Sequence, residues 1–172
     1  MANYYPGTDL CSIVVNNHVY TYVQDINGAL VEIGDKLVLI NGTILATTSY
    51  SVVPPYDGTG VAEEAPKELT PLAVASFDHM PGKRYLFYVD KHHKIHDVLH
   101  QDNYWIHGTL SNIEIHCAAN SRLAAIPDRH DIIYLHYQAP QRSGLGRKRP
   151  MGPHAGPAQR RVDAQLYCDG GK

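Results

Sequence analysis

Residues 85–107, YLFYVDKHHKIHDVLHQDNYWIH, are the stretch on which the fold turns. His92, His93, His96, His100 and His107 crowd between two aromatic segments, which raises the question of a metal centre. On a helix, His92, His96 and His100 would share one face with Asp97 nearby. However, YLFYVD and KIHDVL are short, rich in β-branched and aromatic residues, and separated by a polar turn. Read as strand–turn–strand, the segment puts His92 and His93 in the turn and points His96 away from Ile95 and Asp97. Neither an H-E-x-x-H pattern nor a cysteine partner is present. The histidines therefore read as polar turn and solvent-face residues, and no metal or other cofactor is expected.

The same texture runs outward along the chain. CSIVVN, HVYTYVQ, ALVEI, KLVLI, TILATTSY, PLAVASF, SRLAAI and DIIYLHYQ are strand-like. Asn16-Asn17, Asn27-Gly28, Gly34-Asp35, Asn41-Gly42, Pro81-Gly82 and Pro127-Asp128 bound them as turns. No segment holds a 3.6-residue period over three turns, so the class is all-β. The twelve tyrosines, against two Phe and one Trp, suit half-exposed strands and polar ligands. Residues 54–71, PPYDGTGVAEEAPKELTP, read as a long exposed loop. Residues 139–172 read as a flexible, basic, Gly- and Pro-rich tail.

A net charge of −2 over 172 residues argues against an electrostatic nucleic-acid partner, although Arg147-Lys148-Arg149 and Arg160-Arg161 form a local basic patch. There is no apolar run long enough for a membrane helix. The start, MANYYPGTDL, has no secretory pattern, which suggests a cytoplasmic protein or one exported without a signal peptide. Cys11, Cys117 and Cys168 are an odd set without C-x-x-C spacing, so neither a disulfide framework nor a zinc knuckle is expected. No G-x-S-x-G, glycine-rich nucleotide loop or Ser/His/Asp constellation is present, and no catalytic residue is assigned.

Three segments align: SIVVNNHVYTYVQDINGALVEI, PLAVASFDHMPGKRYLFYVDKHHKIHDVL and SRLAAIPDRHDIIYLHYQ. Tyr20, Tyr85 and Tyr134 take equivalent places. Tyr22, Phe87 and His136 follow on the same face, while Val23, Tyr88 and Tyr137 lie on the other. Glu32 and Asp97 share an acidic position one strand further on. A unit of roughly 45 to 50 residues with about four short strands is the pattern of a β-propeller blade, with a β-sandwich as the alternative that the pattern leaves open.

The blade of LAAI, a turn, YLHYQ, KIHDV and WIHGTL resembles that of the fungal fucose-specific lectins, over about residues 10–138. The resemblance implies a β-propeller-like domain at 1–138, with about three four-stranded antiparallel blades. This would be a partial propeller, or one completed by a homo-oligomer. It also implies that glycans, fucosylated or otherwise neutral, bind between neighbouring blades. In that family an arginine and a glutamate bind sugar hydroxyls and an aromatic ring packs on the sugar. Carried over, the acidic position is Glu32 and Asp97, and the ring is Trp105. The arginine position is filled by Tyr20, Tyr85 and Tyr134. Arg84 lies one residue early and so points to the opposite face from Tyr85. The expected carbohydrate-binding set is Tyr20, Glu32, Arg84, Tyr85, Asp97 and Trp105, with weak or altered binding. A non-catalytic protein scaffold and a propeller glycosidase are the competing readings.

Overall fold

A computed structural model describes residues 7–36, 48–53, 65–80, 82–102, 104–140 and 161–167. Three antiparallel sheets make up these residues. The first holds β1 (Cys11–Val15), β2 (His18–Gln24), β3 (Leu30–Lys36) and β4 (Thr48–Val53) in sequential order. The second holds β5 (Ala73–Ala75), β6 (Arg84–Val89), β7 (Ile95–Gln101) and β8 (Tyr104–His107) in the same order. In the third, β10 (Ile132–Gln138) lies between β9 (Ala124–Pro127) and β11 (Arg161–Tyr167). One 3-10 turn, Thr109–Asn112, follows β8.

Short-range chemistry fixes the meanders. Asn16 and Asn17, at φ of 51° and 62°, close the β1–β2 hairpin. This left-handed backbone suits asparagine and matches the twist of the flanking strands. Asp25 and Asp90 organise the two turns between second and third strands. Asp25 Oδ1 accepts the amides of Asn27 and Ala29; Asp90 Oδ1 accepts those of His92 and Lys94. Each turn then needs one left-handed residue, supplied by Gly28 (φ 88°) and His93 (φ 63°). Asp128 repeats the device before β10, accepting from His130 and Ile132.

A hydroxyl recurs once per sheet. The side chains of Thr8, Thr70 and Ser121 accept the backbone amides of Gln24, Val89 and Gln138. These three bonds set β2, β6 and β10 in correspondence. Tyr20, Tyr85 and Tyr134 fall at one position, as the sequence alignment requires, and β1, β5 and β9 become the matching first strands. Those first strands lie side by side, β1 against β5 and β5 against β9.

The core lies between the sheets in two separate joints. In the first, Tyr22 and Leu30 of the first sheet pack with Leu72 and with Leu86, Tyr88 and Val98 of the second. In the second, Tyr85, Phe87, Val89 and Ile95 pack with Ile133 and Leu135 of the third sheet, joined by Leu110 and Cys117. Burial pushes the Cys11 thiol up to about 12, helped by Asp9, and raises Cys117. Both thiols are free and protonated at neutral pH.

Two expectations change. Residues 161–167 of the tail form β11, whose register sets Val162, Ala164 and Leu166 opposite Tyr137, Leu135 and Ile133. That apolar alternation is a strand signal, hidden behind the Gly-, Pro- and Arg-rich stretch before it. The end of the 54–71 loop is packed rather than exposed: Thr70 is fully buried and both donates to and accepts from Val89. The expected strand at 36–40 beyond Lys36, the Asn41-Gly42 turn, residues 54–64 and the basic cluster at 147–149 lie outside the described residues.

Candidate functional site

The first joint contains charge. Alternation along β2 and β3 turns Tyr20, Tyr22 and Glu32 toward the second sheet, with Tyr22 directly opposite Glu32. From the second sheet, β6 turns Arg84, Leu86 and Tyr88 toward them, with Arg84 opposite His100 and His100 opposite Trp105. The Arg84 guanidinium crosses the joint. Its Nη2 donates to Glu32 Oε1 and Oε2 at 3.2 and 3.0 Å, and its Nε donates to the Tyr22 hydroxyl at 3.0 Å. The Tyr22 hydroxyl donates in turn to Glu32 Oε2 at 2.9 Å.

Aromatic rings surround this pair. The guanidinium carbon sits 3.9 Å from the Tyr20 ring centroid and 5.8 Å from that of Trp105. Both distances fall within cation–π range. Trp105 takes edge contacts from Tyr22 and His100 at 5.9 and 5.2 Å. Arg84 and Glu32 are each 4% exposed, whereas Tyr20, His100 and Trp105 are half-buried. The ion pair is therefore buried, while the rings beside it remain partly accessible.

Burial sets the protonation states. It would lower the Arg84 guanidinium, but Tyr22 and Glu32 beside it outweigh this and leave it raised. Burial, then the Glu32 carboxylate, push the Tyr22 hydroxyl well above its ordinary value. Burial and the Arg84 charge lower the His100 imidazole. At neutral pH the guanidinium is thus charged, and the Tyr22 hydroxyl and the His100 ring are neutral.

Of the six residues expected from sequence, four meet here: Tyr20, Glu32, Arg84 and Trp105. Arg84 does point away from Tyr85, and that direction carries it into the first joint, where it reaches the acid of the neighbouring sheet. Tyr85 and Asp97 lie on the other face of the second sheet. Tyr85 packs against Phe77 in the second joint, with ring centroids 6.0 Å apart. Asp97 Oδ1 accepts the Leu110 amide at 2.8 Å, at the start of the 3-10 turn. Burial raises the Asp97 carboxyl, against the opposing pull of the Leu110 amide. These two residues are structural parts of the second joint and do not contribute to the first. Tyr22 was missed as a site residue, although its i+2 spacing from Tyr20 marks the shared face.

The histidines do not come together. His96 is 1% exposed, contrary to a solvent-face position, because its Nε2 pairs with Asp90 at 3.0 Å and its ring stacks on Tyr88. His100 approaches the Gly82 carbonyl from another part of the sheet. Among the described residues no three His, Cys, Asp or Glu side chains are grouped to hold a metal ion.

No family model and no curated protein matches the chain. Solved structures do. An Aleuria aurantia lectin variant in complex with Fucα1-6GlcNAc has a TM-score of 0.63 at 17% identity, covering 81% of this chain and 43% of that one. AofleA from Arthrobotrys oligospora has a TM-score of 0.61 at 14% identity, covering 80% and 36%. SapL1 lectin in complex with α-methyl fucoside gives 0.58 at 15% identity, covering 80% and 40%. The Aleuria lectin is a six-bladed β-propeller. The three sheets of this chain have that β-propeller fold. The chain spans less than half the length of these structures.

Proposed function

We propose that the joint between the first and second sheets is a non-catalytic binding site for a neutral saccharide. The observation that carries this reading is a buried, hydrogen-bonded Glu32–Arg84 pair with the half-buried rings of Tyr20 and Trp105 against it. Carboxylate and guanidinium form charge-assisted hydrogen bonds with hydroxyl groups, and Trp105 offers a face for the C–H surface of a pyranose. Tyr20 borders the pair from the first sheet. Tyr22 holds both charged groups in place.

The charges also favour one class of sugar. Arg84 and Glu32 cancel, and His100 is kept neutral, so the site offers no net field to a carboxylated or sulfated saccharide. Among neutral sugars, α-fucosides are the first to test, because two of the structural neighbours are bound to fucose-containing ligands. In this chain the arginine enters from the second sheet, whereas the acid and its tyrosine belong to the first.

Calorimetric titration of the full chain with α-methyl fucoside, a galactoside and a sialoside tests the reading. The expected result is binding of a neutral glycoside at about millimolar Kd or tighter, a free energy near −4 kcal/mol, with the sialoside weaker. No heat from any neutral glycoside at that concentration would refute it.

A further inference from the structure

The Glu32–Arg84 pair has hydrogen-bonding capacity that the folded chain leaves unused. A guanidinium carries five N–H donors and a carboxylate about four acceptor sites. Arg84 commits Nε to Tyr22 and Nη2 to Glu32, and its Nη1 takes no part in these bonds. Glu32 accepts twice from Arg84 and once from Tyr22. Donors and an acceptor site therefore remain for a hydroxyl, yet each residue is only 4% exposed. A ligand has to uncover them.

Tyr20 lies across the pair. The guanidinium carbon is 3.9 Å from its ring centroid, a contact distance, whereas the Trp105 centroid is 5.8 Å away. Tyr20 is half-buried, so its ring lies between the buried pair and solvent. Its neighbours on the first sheet leave it room to move. Gly34 stands directly opposite on β3, where a side chain would ordinarily pack on the ring; a Cβ there would meet the ring at 3.8 Å. The His18 ring, two residues back on the same face, is 6.2 Å away and tilted rather than stacked.

We infer that the Tyr20 ring is a cover over the Glu32–Arg84 pair, which a saccharide must displace, and that Tyr20 therefore limits affinity. Displacement by a saccharide rests on the reading of this joint proposed above, whereas the cover itself can be measured without sugar. Cation–π attraction to a desolvated guanidinium holds the ring down. Only molecules with the ring raised can bind, so the apparent Kd is the intrinsic value divided by their fraction. Removing the ring removes that penalty. A methyl group at position 34, touching the ring where it lies, increases it.

Phenylglyoxal, which modifies accessible guanidinium groups, measures the cover on the full chain by peptide mass mapping, with the exposed Arg122 as internal reference. Arg84 should be protected in the unaltered chain and in Tyr20→Phe, which keeps the ring, and should react about tenfold faster in Tyr20→Ala. In titrations with α-methyl fucoside and a galactoside, Tyr20→Ala should bind about tenfold tighter than the unaltered chain, and Gly34→Ala about threefold weaker. Unchanged protection of Arg84 in Tyr20→Ala overturns the inference. So does unchanged or weaker glycoside binding by that variant when the unaltered chain binds. Arg84 unmasked by Tyr20→Ala, with no neutral glycoside bound by either chain, supports the cover and refutes the saccharide reading instead. Should Tyr20→Ala lose the β circular-dichroism spectrum, Gly34→Ala decides alone, and an affinity equal to or above that of the unaltered chain overturns the inference.

Discussion

The two joints of this stack begin from the same parts and end with opposite character. In both, an acid on the third strand faces the next sheet, Glu32 in one and Asp97 in the other. Glu32 meets a guanidinium from that next sheet and a tyrosine hydroxyl from its own. Asp97 meets the backbone instead: its Oδ1 accepts from Leu110, and its carbonyl accepts from Gly108. The difference traces to one position on the second strand, Arg84 in the second sheet and Ile133 in the third. A cation there keeps the joint polar and bordered by accessible rings. A branched alkyl side chain seals it as core.

The first way to break this contrast is to remove one acid at a time. Glu32→Ala leaves the Arg84 guanidinium buried without its carboxylate and should cost about 3–5 kcal/mol in urea unfolding. Asp97→Asn should cost little at neutral pH, because the amide oxygen can still accept the Leu110 proton. The sign follows from linkage. A carboxyl whose folded pKa is raised stabilises the fold below its unfolded value, near 3.8, and loses that contribution as pH rises through the folded value. At pH 7 the Asp97 charge is therefore a net burden. Equal losses from the two substitutions would erase the distinction between the joints.

Gly108→Ala probes the sealed joint from its other side. A Cβ there would lie 1.9 Å from Asp97 Oδ2, so the carboxylate must give way. A loss of about 1–3 kcal/mol is expected, with sugar affinity per folded molecule unchanged. Smaller in energy but confined to the open joint, Trp105→Ala should weaken saccharide binding by about 1 kcal/mol, roughly fivefold in Kd. Tyr85→Leu, in the other joint, should leave Kd where it was.

The smallest expected effect is a pH dependence. His100 has a folded pKa lowered below its ordinary 6.5 by burial and by Arg84. Its contribution to stability is present above about 6.5 and is lost as pH falls from there through the lowered value. Between neutral pH and that value, His100→Gln should flatten this part of the melting-temperature profile. An unchanged profile would show that His100 does not sense the Arg84 charge.

Much of the fold was legible because strand chemistry is local. Tyrosine and β-branched residues at alternate positions, with Asn and Asp at the turns, gave the meanders and the equivalence of Tyr20, Tyr85 and Tyr134. Alternation also showed that Arg84 and Tyr85 face opposite ways. It could not show which sheet lies on which side, since that depends on stacking between segments far apart in sequence. The expected set therefore mixes residues of two joints: Arg84 reaches the first, while Tyr85 and Asp97 lie in the second. β11 was lost for a related reason. RVDAQLY has a strand's alternation, but its partner β10 lies beyond a long Gly- and Pro-rich stretch that resembles no blade. Asp163, the third acid in register, was lost with it.

The recurring hydroxyls have a consequence for how the chain folds. Thr8, Thr70 and Ser121 clamp strands only 16, 19 and 17 residues downstream. The entropy of closing a flexible loop varies as the logarithm of its length, so at a few tens of residues these closures cost nearly the same. The Glu32–Arg84 link spans 52 residues and gains nothing until two closures have already formed. Assembly should then run as separate local condensations followed by docking, with the charged joint the last part of the first two sheets to become native.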